Sequence, residues 1–138
     1  MEKHIIDAQW INNMSFESEI NGHKITIDAN EEMGGENKGP RPKPLMLLAL
    51  AGCSGMDVIS ILKKMKVEPE YFNIKVEGDL SDEYPKQYIK MKVIYEFKGK
   101  DLPFDKIEKA VKLSEEKYCG VYALYKKAIE VTNEIKIL

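Results

Sequence analysis

Residues 44–66 read PLMLLALAGCSGMDVISILKKMK, and the fold turns on this stretch. Its first half is apolar on nearly every face, and Ala49, Ala51, Gly52 and Gly55 are small enough for neighbouring elements to approach closely. Pro44 suits a first helical position, where the N–H it lacks would have no partner. A helix apolar all round must be covered on most faces rather than along one stripe. A chain of 138 residues has few elements with which to do so, which points to a second copy and an intertwined homodimer. The apolar-rich run 45–56 ends at Asp57 after twelve residues, short of the about 20 needed to cross a membrane. A buried core helix is therefore expected, with no membrane partner.

Upstream, residues 31–44 (EEMGGENKGPRPKP) hold three glycines and three prolines and read as a loop. Before it, residues 4–13, 14–20 and 23–29 read as strands, with Ile25 and Ile27 alternating against Thr26 and Asp28. Asn21-Gly22 is a two-residue hairpin signal because both residues tolerate positive φ. Downstream, residues 71–80 place Phe72, Ile74 and Val76 on one face. Residues 87–98 place Ile89, Met91, Val93, Tyr95 and Phe97 inward, and the polar connection 81–86 makes the two strands a hairpin. Residues 103–118 read as an amphipathic helix with the stripe Ile107, Ala110, Val111, Ser114 and Tyr118. A short helix over 120–127 and a last strand marked by Ile129, Val131, Ile135 and Ile137 complete an α+β fold. Helices pack on antiparallel sheet in a single domain, 1–138.

Twenty-one basic and 23 acidic residues leave a formal charge of −2, so no broad basic surface exists for nucleic acid. Residues 1–10 lack the basic start and apolar block of a secretory signal. Two cysteines 66 positions apart are no disulfide framework, so reduced thiols and a cytoplasmic setting are expected.

Cys53 reads either as a small core residue or as a redox thiol that its small neighbours leave accessible. Cys119 falls at the junction of two helices, near the N-terminus of the second, a position that favours a thiolate. A metal centre would need Cys53, Cys119, His4 and His23 to converge without any local ligand spacing. Neither a metal nor a cofactor is expected.

Residues 39–58 (GPRPKPLMLLALAGCSGMDV) resemble the helix-opening segment of the OsmC/Ohr family, and residues 113–121 (LSEEKYCGV) resemble its second cysteine segment. Val76-Glu77-Gly78 also fits, and the element order agrees along nearly the whole chain. The resemblance implies antiparallel sheets around a long buried cysteine helix, in an interwoven homodimer with each site between subunits. It implies thiol peroxidase chemistry in which Cys53 attacks an organic hydroperoxide, Cys119 resolves the product to a disulfide, and a dithiol reductant, lipoyl-type in one branch, restores both thiols. Met46, Leu50, Met56 and Tyr118 are then candidates to line an apolar pocket. Family peroxidases hold their thiolate with an arginine before the cysteine helix and a glutamate near its start. Here residues 26–39 hold no arginine, and Lys43 or Met46 stands in the glutamate's place. Glu31, Glu32 or Glu36 could substitute from the loop. Arg41, the one arginine in the chain, is assigned the cation's role by its place at the mouth of the helix. The alternative is a non-catalytic dimer that binds a small apolar ligand in its interfacial pocket.

Overall fold

A computed structural model describes residues 1–138, which pack as two compact units, Met1–Met46 and Leu47–Leu138. In the N-terminal unit, β1 (Gln9–Asn12), β2 (Ser15–Ile20) and β3 (His23–Ile27) form the expected antiparallel meander. Asn21 (φ 52°) and Gly22 (φ 81°) both occupy the left-handed region, as a two-residue turn between twisted strands requires. The first strand is shorter than the expected 4–13, and the residues before Gln9 are exposed and join no strand ladder. Ile5 and Ile6 are adjacent, so a strand would send them to opposite faces, and no single covered face suits both.

The loop after β3 is organised by one buried carboxylate. Asp28 accepts hydrogen bonds from the backbone N–H of Ala29 (2.7 Å), Lys38 (3.1 Å) and Glu36 (3.2 Å), while its own N–H donates to the Pro40 carbonyl (3.1 Å). The Lys38 N–H does most to hold the Asp28 carboxyl below its ordinary range; burial opposes it, and the other two N–H groups assist. A 3₁₀ turn, Glu31–Met33, is capped by the Asn30 side chain. Gly39 lies so close to β3 that a Cβ there would sit 2.1 Å from the Thr26 carbonyl oxygen, and one at Gly35 would sit 2.1 Å from that of Ala29.

Helix α1 spans Pro44–Lys64. It ends in a Schellman arrangement: Lys66 is left-handed (φ 61°), its N–H bonds to the Lys63 carbonyl, and the Val67 N–H bonds to that of Leu62. Within the chain α1 buries one stripe, Leu50, Ser54, Val58 and Leu62, rather than most of its faces. Leu48 (65% exposed) and Met56 (73%) lie outside that stripe. By length and mean hydropathy (2.0) α1 would suit a membrane span, yet a buried residue at every fourth position is the pattern of a core helix packed on sheet.

Strands β4 (Tyr71–Leu80) and β5 (Tyr88–Lys98) form the expected hairpin, in register from Tyr71 opposite Lys98. Met91, Val93, Tyr95 and Phe97 are buried, and Phe97 stacks on Phe72 at 4.5 Å. Ile89, expected inward, is exposed. Strand β6 (Glu130–Ile137) joins β5 in parallel, from Lys90 opposite Glu130 to Phe97 opposite Ile137, so this sheet is mixed rather than purely antiparallel. The intervening residues 99–129 carry α2 (Phe104–Leu113) and α3 (Gly120–Tyr125), which provide the long crossover that parallel strands need. α2 buries Ile107, Ala110 and Val111 as expected, but regular helix stops at Leu113 and a π-helical turn, Ser114–Tyr118, follows. The wider turn puts Tyr118 out of phase with the stripe, and the residue is 53% exposed instead of inward.

The close approach at Gly39 makes a direct expectation. Gly39→Ala should destabilise the protein by roughly 2 kcal/mol, within the range for inserting a methyl where backbone cannot yield. A thermal melt showing the wild-type midpoint would contradict it.

A candidate thiol–carboxylate site

Cys53 and Asp57 are four residues apart on α1, so their side chains lie one above the other on one face. Across from them the π turn ends at Cys119. Its Sγ, the Cys53 Sγ and one Asp57 carboxylate oxygen all lie within 4.8 Å of one another. The π turn makes this possible. Ser114 and Cys119 are five apart, which an α-helix would separate by about 140° around its axis. The π turn instead closes with the Cys119 N–H on the Ser114 carbonyl (2.8 Å), and both side chains meet α1. The Ser114 hydroxyl donates to Asp57 Oδ2 (3.1 Å), and Ser54 Oγ lies 3.4 Å from Cys119 Sγ.

The two sulfurs differ in setting. Cys119 is buried, 2% exposed, and Cys53 is half-buried. Cys119 Sγ caps α3 by accepting the Tyr122 N–H at 3.3 Å. A helix N-terminus was expected to favour its thiolate, but burial dominates and pushes the Cys119 thiol above its ordinary value. The Ser54 hydroxyl and the Tyr122 N–H pull it back, while Cys53 pushes it further up. The Tyr95 hydroxyl is buried in the same core, beside Ser54. Its titration is likewise raised, by burial first and then by the Glu115 charge.

Glu115, in the π turn, is 6% exposed and accepts hydrogen bonds from Asn133 Nδ2 on both carboxylate oxygens. Burial raises its carboxyl above the ordinary range, opposed by hydrogen bonds from Tyr122 and Asn133. The neighbouring Tyr122 is pushed up to about 12, by burial and by the Glu115 charge. Glu115, Tyr122 and Asn133 line an open hollow of about 550 Å³ with Glu108, Lys112 and Lys126.

Arg41 lies in the N-terminal unit. Its Nη1 donates to the Gly39 carbonyl (2.8 Å) and its Nη2 to Asn37 Oδ1 (2.6 Å). Glu36 pairs with Lys38 (3.5 Å), and Glu31 and Glu32 are exposed. His4 is exposed beside Glu2, His23 is exposed on β3, and neither belongs to the cysteine cluster. Of the residues expected to line a pocket, Leu50 is fully buried in the core, and Met46, Met56 and Tyr118 are exposed. Sequence reasoning overlooked Asp57, Ser114 and Glu115. Asp57 alone carried a signal, its four-residue spacing from Cys53.

Glu115 makes the site's stability pH-dependent. Its folded carboxyl holds a proton more tightly than the unfolded one, so stability is highest below the ordinary carboxyl range. It is lost as pH rises through the raised folded value. Glu115→Gln should therefore melt higher than wild type at pH 7, with the difference vanishing near pH 4. Parallel melting curves at the two pH values would contradict this.

Residues 35–134 match the family model described as OsmC-like protein. Protein YhfA of Escherichia coli K12 is 30% identical over 132 residues, covering 95% of this chain and 96% of that protein. A crystal structure of a hypothetical protein from Aquifex aeolicus VF5 superposes with a TM-score of 0.83 at 33% identity, covering 100% of this chain and 99% of that one. The organic hydroperoxide resistance protein OhrB of Bacillus subtilis shares the fold, with a TM-score of 0.68 at 18% identity and 96% of each chain covered. With two cysteine segments meeting at a common site and a family match that spans most of the sequence, this chain belongs to the OsmC-like protein family.

Proposed function

We propose that the protein reduces organic hydroperoxides through Cys53 and Cys119, working as a single domain within a homodimer. The observation that carries this reading is the convergence of the two sulfurs in one cluster within 4.8 Å; a disulfide would bring them to about 2 Å. Cys53, the more exposed sulfur, attacks the outer peroxide oxygen. The O–O bond breaks, the alkoxide leaves with a proton as an alcohol, and Cys53 becomes a sulfenic acid. Cys119, kept protonated and shielded by burial, resolves it: the Cys119 sulfur displaces hydroxide, which leaves as water with the Cys119 proton. A dithiol reductant then returns two electrons and two protons and departs as its own disulfide. Thiols that must be reduced each cycle suit a cytoplasmic setting.

Asp57 sits beside both sulfurs, and a thiolate is the reactive form of the attacking cysteine. A cation beside Cys53 would favour it, and we assign that role to Arg41, the one arginine in the chain, from its place in the sequence just before α1. The homodimer is supported by the apolar side chains that α1 leaves exposed, Leu48 and Met56, which a second copy would cover.

One feature favours the alternative of a ligand-binding module. In the N-terminal unit a hollow of about 620 Å³ is lined by Met14, Phe16, Ile27, Met33 and Pro42, with Arg41 beside them. Its apolar lining and size fit a small ligand.

One equivalent of cumene hydroperoxide added to the reduced protein should remove two hydrogens, mapped by mass spectrometry to a Cys53–Cys119 link. Cys53→Ser should not react, and Cys119→Ser should stop at the addition of one oxygen. Arg41→Ala should slow the reaction roughly tenfold to a hundredfold, the value of one hydrogen bond to a charged group. Full reactivity in Arg41→Lys would remove Arg41 from the mechanism, and thiols that stay reduced in the wild type would leave the binding module. Sedimentation should give a dimer at micromolar concentration, and Leu48→Glu with Met56→Glu should yield monomer.

A further inference from the structure

We propose that Cys53, Asp57 and Cys119 form a binding site for one soft divalent cation, Zn²⁺ by its chemistry. Two sulfurs and a carboxylate oxygen already lie within 4.8 Å of one another. Ligand atoms about 2.0–2.3 Å from a tetrahedral zinc stand roughly 3.5–3.8 Å apart. The donors therefore need to close by about 1.3 Å at most, an adjustment of side-chain torsions.

The backbone supports the arrangement. Cys53 and Asp57 present two donors from one face of α1, one turn apart, and Cys119 presents the third from a position fixed at both ends. Its N–H is bound to the Ser114 carbonyl (2.8 Å), and its Sγ accepts the Tyr122 N–H (3.3 Å). The ligands also have partners that orient them. The Ser114 hydroxyl holds Asp57 Oδ2 at 3.1 Å, and Ser54 Oγ lies 3.4 Å from Cys119 Sγ. Outer hydrogen bonds of this kind fix ligand orientation and add to metal affinity.

Charge argues in the same direction. Asp57 takes part in none of the chain's ion pairs. Two sulfurs and a carboxylate oxygen facing one another make a donor set that suits a dication. Two thiolates select zinc, cadmium or cobalt over magnesium and calcium, which prefer oxygen. Three protein ligands leave a fourth tetrahedral position for water or an external thiolate. A Cys53–Cys119 disulfide would remove two of the three donors, so the site exists only in the reduced protein. Cation binding needs no peroxide, and the proposal stands or falls separately from the peroxidase reading.

The test is anaerobic titration of the reduced, full-length protein with Co²⁺, followed by displacement with Zn²⁺. Binding should saturate at one cobalt per chain, with thiolate-to-cobalt absorption in the near ultraviolet and the visible bands of a tetrahedral site. Asp57→Asn should retain both thiols by thiol titration and the wild-type circular dichroism, yet bind Zn²⁺ at least tenfold more weakly. Ser114→Ala should weaken it about tenfold, and Cys53→Ser should lower the charge-transfer absorption per bound cobalt, because one of the two thiolates is gone. Disulfide-oxidised protein should bind no cation. Binding well below one per chain, or an Asp57→Asn variant with wild-type affinity, would overturn the three-ligand site, the latter even where the thiols alone bind metal.

Discussion

Ser114 and Cys119 both face α1 only because the helix between them opens into a π turn, and the whole thiol site depends on that geometry. Five residues of α-helix would turn one of them away. With the wider turn, Ser114 meets Asp57 and Cys119 meets Ser54, two polar contacts that tie the C-terminal helices to the cysteine helix. The same turn sends Tyr118 to solvent and brings Glu115 into the interior. π-helical turns are rare and occur frequently at functional sites, and here two site side chains need that spacing.

The electrostatics of the C-terminal unit are those of negative charge held in a core. Glu115 is buried, Asp57 stands beside two thiols, and neither forms an ion pair with a lysine. Burial is the leading cause of the raised titrations of Glu115, Tyr122 and Cys119. Burial of this kind disfavours the charged form of an acid.

The N-terminal unit is built differently. Its loop has little apolar content and is held by Asp28, whose carboxylate gathers three backbone N–H groups, and by glycines that let the loop run against β3. Hydrogen bonds to one buried acceptor take the place of side-chain packing. This is how a segment with three glycines and three prolines holds a defined path up to Pro44.

The sequence by itself determined the family, the order of elements and both cysteines. Those features reside in local patterns: the apolar run 44–66, the alternation of residues 71–80, the Asn21-Gly22 turn and two short cysteine motifs. The tertiary structure alone decided the parallel seat of β6, the truncation of the first strand and the single buried stripe of α1, because each depends on which partner is in reach. It alone decided the site's membership as well. Asp57 and Ser114 became site residues, and His4 and His23 did not, through a helical irregularity of one residue that no periodicity in residues 103–118 announces. A π turn differs from an α turn by a rotation, and that rotation is set by the packing of Ser114 and Cys119 against α1 rather than by the local sequence.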